Sequence, residues 1–188
     1  MIEGTHWVAG VVPHPNQGGD TKIQPLLKIQ MLPEIKLLKE KKLVGLKTEM
    51  SFAENKTGEL WKNFMPRYSE IGNRVGKDLF SLQIYDPSFA KGNFDPHLNF
   101  CKWAAVEVFD FEIIPTDMVT LTIPEGKYAV FSYKGSSAEA NEFFRYVFSD
   151  WLPKSGFRLD HRPHFEILGD KYKTNDPNSE EEIWIPIQ

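Results

Sequence analysis

One pattern occurs twice in this chain and constrains its fold more than any other feature. Ser51-Phe52-Ala53-Glu54 and Ser136-Ser137-Ala138-Glu139 both read as capping boxes. In such a box the serine accepts from the N3 amide and the glutamate reaches back to the cap residue. The two serines lie 85 positions apart. At that offset Leu43-Val44-Gly45-Leu46 falls on Tyr128-Ala129-Val130-Phe131, and Trp61 falls on Tyr146. At slightly shorter offsets Ser81-Leu82-Gln83-Ile84-Tyr85 lines up with His164-Phe165-Glu166-Ile167-Leu168, and Ala105-Val106-Glu107-Val108 with Trp184-Ile185-Pro186-Ile187. Each half therefore reads strand, helix, strand, strand, which points to an internal duplication. Half-domains of this kind leave an apolar face and a sheet edge open, so they pair. The expected fold is α+β: an antiparallel sheet with two helices on one face and a pocket at a pseudo-two-fold axis.

Local signals place the elements. Apolar residues from Glu34 to Met50 predict one long or interrupted strand. The first box should open a helix carrying Leu60, Trp61, Phe64, Tyr68 and Ile71 on one stripe, kinked at Pro66 and ended by Gly72 and Gly76. Strands follow at 79–85, 102–111, 119–123 and 128–133. The second box should open a helix with Ala140, Phe143, Phe144, Val147, Phe148 and Trp151, and strands at 165–168 and 183–187 complete the chain. The domain spans 34–188, with halves at about 34–117 and 118–188. Residues 1–33, punctuated by Pro13, Pro15, Gly18, Gly19, Pro25 and Pro33, read as an irregular leader, which Trp7 would pin to the surface.

Composition removes several function classes. Hydrophobic residues make up 41% of the 188 positions, enough for a core, and exclude disorder along the whole chain. With 22 Lys plus Arg against 26 Asp plus Glu, the net charge of −4 disfavours a general nucleic-acid binder. A single cysteine, Cys101, excludes an internal disulfide and a cysteine-cluster metal site, and a reducing cytoplasmic compartment is expected. No run approaches the roughly 18 apolar residues of a membrane span. His161-Arg162-Pro163-His164 is broken by its proline and has no carboxylate at ligand spacing, so neither a metal nor a cofactor is expected.

The candidate site residues are acidic and aromatic. Glu166 lies between Phe165 and Ile167 in a short apolar strand. A carboxylate there is costly unless paired. A cationic ligand would relieve that cost, and nearby rings would add cation–π attraction. The same carboxylate would suit a general base or nucleophile. Alternatively, Glu166 turns outward or pairs with Arg162. Glu107 has the same character on a strand where Trp103 and Ala105 share its face; the alternative is a solvated charge beside Lys102. Trp61 and Phe64 sit on the first helix stripe, as core or pocket lining. Tyr133 offers a hydroxyl to a ligand or reacting group, and Trp103 and Trp184 are further aromatic candidates.

The order and spacing of several segments resemble the GyrI-like family, also called the AraC-type effector-binding domain. The segments are Leu60-Trp61-Lys62-Asn63-Phe64-Met65-Pro66-Arg67, Trp103 to Val108, Ile123-Pro124-Glu125-Gly126-Lys127-Tyr128 through Gly135, Trp151 to Gly156, Phe165-Glu166-Ile167 and Ile183 to Ile187. The chain departs from the pattern in its leader, in a longer turn around Asp110 to Asp117, and in Leu168 where an aromatic is usual. The resemblance implies a small-molecule ligand, often cationic and amphipathic, held in an axial pocket by Glu166, Glu107, Trp61, Phe64, Trp103, Tyr133 and Trp184. It also implies two other readings. One is a hydrolase of reactive cyclopropane compounds, with Glu166 and Tyr133 as catalytic groups. The other is a protein-interaction module like the gyrase-inhibitor branch. No helix-turn-helix fits before Glu34, so direct DNA binding is not expected.

Overall fold

A computed structural model of the chain describes residues 32–87, 89, 95–136 and 140–188. The expected leader, apart from its last two residues, and the Ser137-Ala138-Glu139 part of the second box lie outside the described residues. Eight strands form one antiparallel sheet: β1 Glu34–Leu38, β2 Lys41–Met50, β3 Arg74–Ile84, β4 Phe100–Val108, β5 Val119–Ile123, β6 Gly126–Lys134, β7 His164–Leu168 and β8 Glu180–Pro186. Their order is β1-β6-β8-β7-β3-β4-β2-β5. Helix α1 (Thr57–Phe64) tightens into a 3-10 stretch over Met65–Glu70. Helix α2 (Ala140–Tyr146) continues through a π turn, Val147–Trp151, into a last turn, Leu152–Lys154.

Two short links force the sheet to curl. The 34–50 segment is two strands, and β1 and β2 lie six strand intervals apart in the order. In a flat sheet six intervals span roughly 29 Å. The chain from Leu38 to Lys41 reaches at most about 11 Å. The link from Ile123 in β5 to Gly126 in β6 makes the same demand from the other edge. Both links close only if the sheet wraps round until its edges approach. Leu38, Leu43, Ile123 and Tyr128, beside the two crossings, are all buried in one cluster with Phe80, Leu82, Trp103, Phe165 and Trp184.

The pairing assigns the two faces. Val130, Trp184, Phe165, Leu82 and Trp103 stand opposite one another along one row, and that row belongs to the cluster without helices. The next row, Ile183–Glu166–Ser81–Ala104, points the other way. On that second face α1 packs Leu60 and Phe64 on Val44, Ala104 and Val106, and α2 packs Phe143, Phe144 and Val147 on Phe131, Ile183 and Ile185. Both helices thus share one face.

Strands β2, β4 and β3 form one trio, β6, β8 and β7 the other, and the trios meet along β3–β7. Val44 faces Val106, and its expected mate Ala129 faces Ile185, as the offsets require. At the centre the match slips by two residues: Gln83 faces Lys102, whereas Glu166 faces Ile183 rather than Glu181.

Local expectations needed three corrections. Ser51 Oγ does accept from the Glu54 amide at 3.0 Å, but α1 begins only at Thr57, whose amide donates to Asn55 Oδ1 at 2.9 Å. The box there closes a turn instead of capping the helix. Strand β3 starts at Arg74, before its bulge, and Gly76 within it adopts φ +82°. That left-handed backbone suits glycine. Strand β4 ends at Val108, so Phe109 leaves the ladder and is 69% exposed.

Gly45 sits where neighbouring strands leave no room for a side chain. It is buried opposite Ala105 on one side and Val119 on the other, and a Cβ there would meet the Ala104 carbonyl oxygen and the Ala105 Cα. Those are backbone atoms of a central strand and cannot turn aside. Gly45→Ala should destabilise the fold by about 1–3 kcal/mol, the cost of overpacking, measured by chemical denaturation. A neutral result would mean that β2 and β4 sit further apart than described.

Candidate ligand site

The site is built where the two trios meet. Glu166 sits on β7 at the centre of the helix-bearing face, and it is 4% exposed. Its Oε1 accepts from Gln83 Nε2 at 3.1 Å, and its Oε2 lies 3.7 Å from Lys102 Nζ. The second distance is an ion pair beyond hydrogen-bond length. Lys102 is 2% exposed, and burial holds its ammonium below the usual range, with Glu166 opposing that effect. Glu181, on β8, is pushed up to about 8 by burial, with the Glu166 charge adding and Lys102 opposing. Glu166 Oε2 and Glu181 Oε2 are buried without a hydrogen-bond partner among the described residues, as is Ser81 Oγ.

Beside this polar cluster lies an aromatic box. A cavity of about 20 Å³ is lined by Gln83 and Glu166 on its polar side and by Phe52, Tyr85, Phe89 and Phe148 among its rings. That volume holds about one water. The box is filled by its own side chains: Tyr85 and Phe89 stack at 4.1 Å, and His164 meets Tyr85 edge-on at 5.0 Å. Burial pushes His164 down to about 3, so the imidazole is neutral at pH 7. Burial and the Glu166 charge both push the Tyr85 hydroxyl up. Phe148 sits on the π turn that extends α2. Such turns recur at functional sites, because they re-aim a side chain that a regular helix would place elsewhere.

The sequence-predicted residues are not all brought together. Glu166 lines the cavity. Trp103 and Trp184 belong to the helix-free cluster on the opposite face, where Trp184 stacks on Phe165 at 5.3 Å. Glu107 shares that face with them and pairs with Lys41 Nζ at 2.6 Å, so it is neither beside Lys102 nor near Glu166. Phe64 is fully buried beneath α1, and Trp61 packs edge-on against it at 5.8 Å. Tyr133 is on the helix-bearing face, opposite Glu181 on the neighbouring strand, and its hydroxyl donates to the Ser136 carbonyl at 2.9 Å. None of these six lines the cavity. Arg162 is engaged with Asp160 at 2.6 Å and lies over the Tyr128 ring, so it does not neutralise Glu166.

Sequence reading missed Lys102, Glu181, Tyr85, Phe89 and Phe148 as site residues. One signal for Lys102 was present: it occupies an alternating position of a strand whose neighbours on the same face, Ala104 and Val106, are apolar. No group of His, Cys, Asp and Glu able to hold a metal occurs among the described residues. No helix among them is long and apolar enough to cross a membrane.

The chain is thus a curled eight-stranded antiparallel sheet with two helices on one face and, on that face, a buried carboxylate beside an aromatic box. The family model of the GyrI-like small molecule binding domain matches residues 31–188, and the chain belongs to that family. It is 30% identical over 148 residues to transcriptional regulator BrlR of Pseudomonas aeruginosa, covering 77% of this chain and 51% of that protein. The chain thus spans about half the length of this curated relative. Among solved structures, SAV2435 bound to tetraphenylphosphonium aligns with a TM-score of 0.61 at 19% identity, covering 83% of this chain and 93% of that one. A hydrolase from Listeria innocua aligns with a TM-score of 0.56 at 14% identity, covering 85% and 93%. At these identities the structural likeness speaks for the fold alone.

Proposed function

We propose that this domain binds a lipophilic organic cation in the aromatic box, with Glu166 as the charge anchor. The observation that carries this reading is the Glu166 carboxylate itself. It is buried beside an aromatic-lined cavity, with one oxygen lacking a hydrogen bond among the described residues. That oxygen meets Lys102 only at 3.7 Å, beyond hydrogen-bond length, and a cation seated against it would add a charge contact while the rings supply cation–π contact. The family to which the chain belongs and the phosphonium ligand of SAV2435 both support this reading. Because the cavity holds about one water, entry of a larger ligand requires the side chains that fill the box to move apart. The candidate site lies at β3–β7, where the two trios meet.

Tetraphenylphosphonium is the probe. By calorimetry it should bind the wild-type chain, and Glu166→Gln should weaken binding about 10–150-fold, the equivalent of about 1.5–3 kcal/mol for a contact to a charged group. Neutral triphenylphosphine oxide should not distinguish the two proteins. Because Glu166→Gln leaves Lys102 without its partner, the double variant Lys102→Met/Glu166→Gln serves as the folded control. Equal affinity of all three proteins for the cation would rule out Glu166 as the anchor.

The hydrolase reading has less support. Tyr133, its second catalytic group, is bonded to a backbone carbonyl and does not line the cavity with Glu166.

A further inference from the structure

The polar cluster beneath the aromatic box contains more charge than one anchor needs. Glu166 faces Ile183 across the β7–β8 ladder, so Glu181, two residues before Ile183, is its diagonal neighbour on the same face. Diagonal neighbours stand roughly 7–8 Å apart at Cα, within reach of long side chains. Lys102 enters from β4, opposite Gln83, and extends to Glu166. Facing Glu181 are therefore Glu166 and Lys102 on the sheet, Tyr133 directly opposite on β6, and Tyr172, whose hydroxyl is held up by burial and by the Glu181 and Glu166 charges. His164 and Tyr85 line the same cavity as Glu166, and the Glu166 charge acts on Tyr85.

The charges do not balance. One buried carboxylate, Glu166, and one half-buried carboxylate, Glu181, act on a single buried ammonium, and each keeps a buried oxygen with no hydrogen bond among the described residues. Burial of an uncompensated charge is the most costly arrangement a protein interior can hold, and such groups neutralise by taking up a proton. Lys102 satisfies Glu166, and Glu181 retains the excess. We propose that this is a proton-exchanging cation site: a ligand cation entering beside Glu166 takes the place of one proton held on Glu181, which leaves to solvent. Before binding, the cluster carries Lys102 as ammonium, Glu166 as carboxylate and Glu181 as carboxylic acid, for a net charge of zero. After binding it carries the ligand's positive charge and a second carboxylate, again zero. The displaced proton accounts for the difference. The burial that lifts Glu181 to about 8 fits a proton retained at neutral pH. Glu181 and Lys102 thereby join Glu166 in setting the charge of ligand the site accepts: Lys102 cancels one carboxylate, and Glu181 provides the charge that a monocation matches.

This inference rests on the cation-binding reading above, and the experiment separates the two. Tetraphenylphosphonium is titrated calorimetrically into the full chain at pH 6, 7 and 8, in two buffers of different ionisation enthalpy. The wild type should release about one proton per cation bound at pH 6 and 7 and about half a proton at pH 8, with affinity rising about ninefold from pH 6 to 7 and about fivefold from pH 7 to 8. Glu181→Gln mimics the protonated acid and keeps the fold. It should bind more weakly at pH 8, release no proton, and show no pH dependence over this range. Wild-type binding that is independent of pH, with no proton release, overturns this inference and leaves the cation reading standing. A proton released equally by Glu181→Gln assigns the exchange elsewhere and also overturns it. No binding at any pH ends the cation reading and this inference together.

Discussion

Lys102→Met is expected to destabilise the fold by about 3–5 kcal/mol, the cost of leaving one member of a buried ion pair alone. Lys102 and Glu166 are 2% and 4% exposed and lie 3.7 Å apart, so water cannot take over the role of the lost ammonium. Glu166→Gln alone should cost a comparable amount by stranding the ammonium. The double variant Lys102→Met/Glu166→Gln should recover the greater part of that loss. Replacing both members of a buried pair with neutral groups of similar volume is often neutral or stabilising. Gln83 also remains to hydrogen-bond the new amide. Urea denaturation of the four proteins gives the coupling energy through a double-mutant cycle. Additive losses, with no rescue in the double variant, would show that the two charges do not depend on each other. The arrangement implies that the domain tolerates a stability cost at its centre to keep a carboxylate in place beneath the rings.

The second large effect is in the pH dependence of stability, where His164 and Glu181 act in opposite directions. Burial depresses His164 from 6.5 in the unfolded chain to about 3 in the fold. The unfolded chain therefore binds the proton first, and stability is lost as pH falls from about 6.5 toward 3. Burial raises Glu181 from 4.5 to about 8, so the fold keeps a proton that the unfolded chain has released. Its contribution is complete below about 4.5 and is lost as pH rises toward 8. Each slope is at most about 1.4 kcal/mol per pH unit. Between about pH 4.5 and 6.5 the two slopes cancel, and stability falls away on both sides. Lys102, depressed by burial, adds a term that increases stability as pH rises toward its ordinary 10.5. The alkaline side is therefore read as a difference. Relative to wild type, Glu181→Gln should gain stability steadily from pH 4.5 to 8, and His164→Gln should gain it from pH 6.5 downward. Parallel stability curves for wild type and Glu181→Gln would mean that this carboxylate titrates normally.

The chain of amino acids by itself determined what depends on near neighbours. The alternation of apolar residues placed strands at 119–123, 128–133 and 165–168, which fall within β5, β6 and β7. Pro66 marked the place where α1 gives way to a tighter turn, because proline removes a donor at a fixed chain position. The expected likeness between halves also pointed to Gln83 and Glu166 as mates, and they are joined by a hydrogen bond at 3.1 Å. Alternation within a strand says which residues share a face; it does not say which face of one strand continues onto the next. That relation depends on register, and register depends on pairing between distant segments. Glu107, Trp103 and Trp184 therefore looked like companions of Glu166, yet the Trp103–Leu82–Phe165–Trp184 row puts them on the other side of the sheet. Neither Lys102 nor Glu181 was marked as part of a site by the sequence alone. They became parts of a buried cluster only because β4, β7 and β8 converge at the centre of the sheet, and because the two-residue links at 39–40 and 124–125 are too short to let the sheet lie flat.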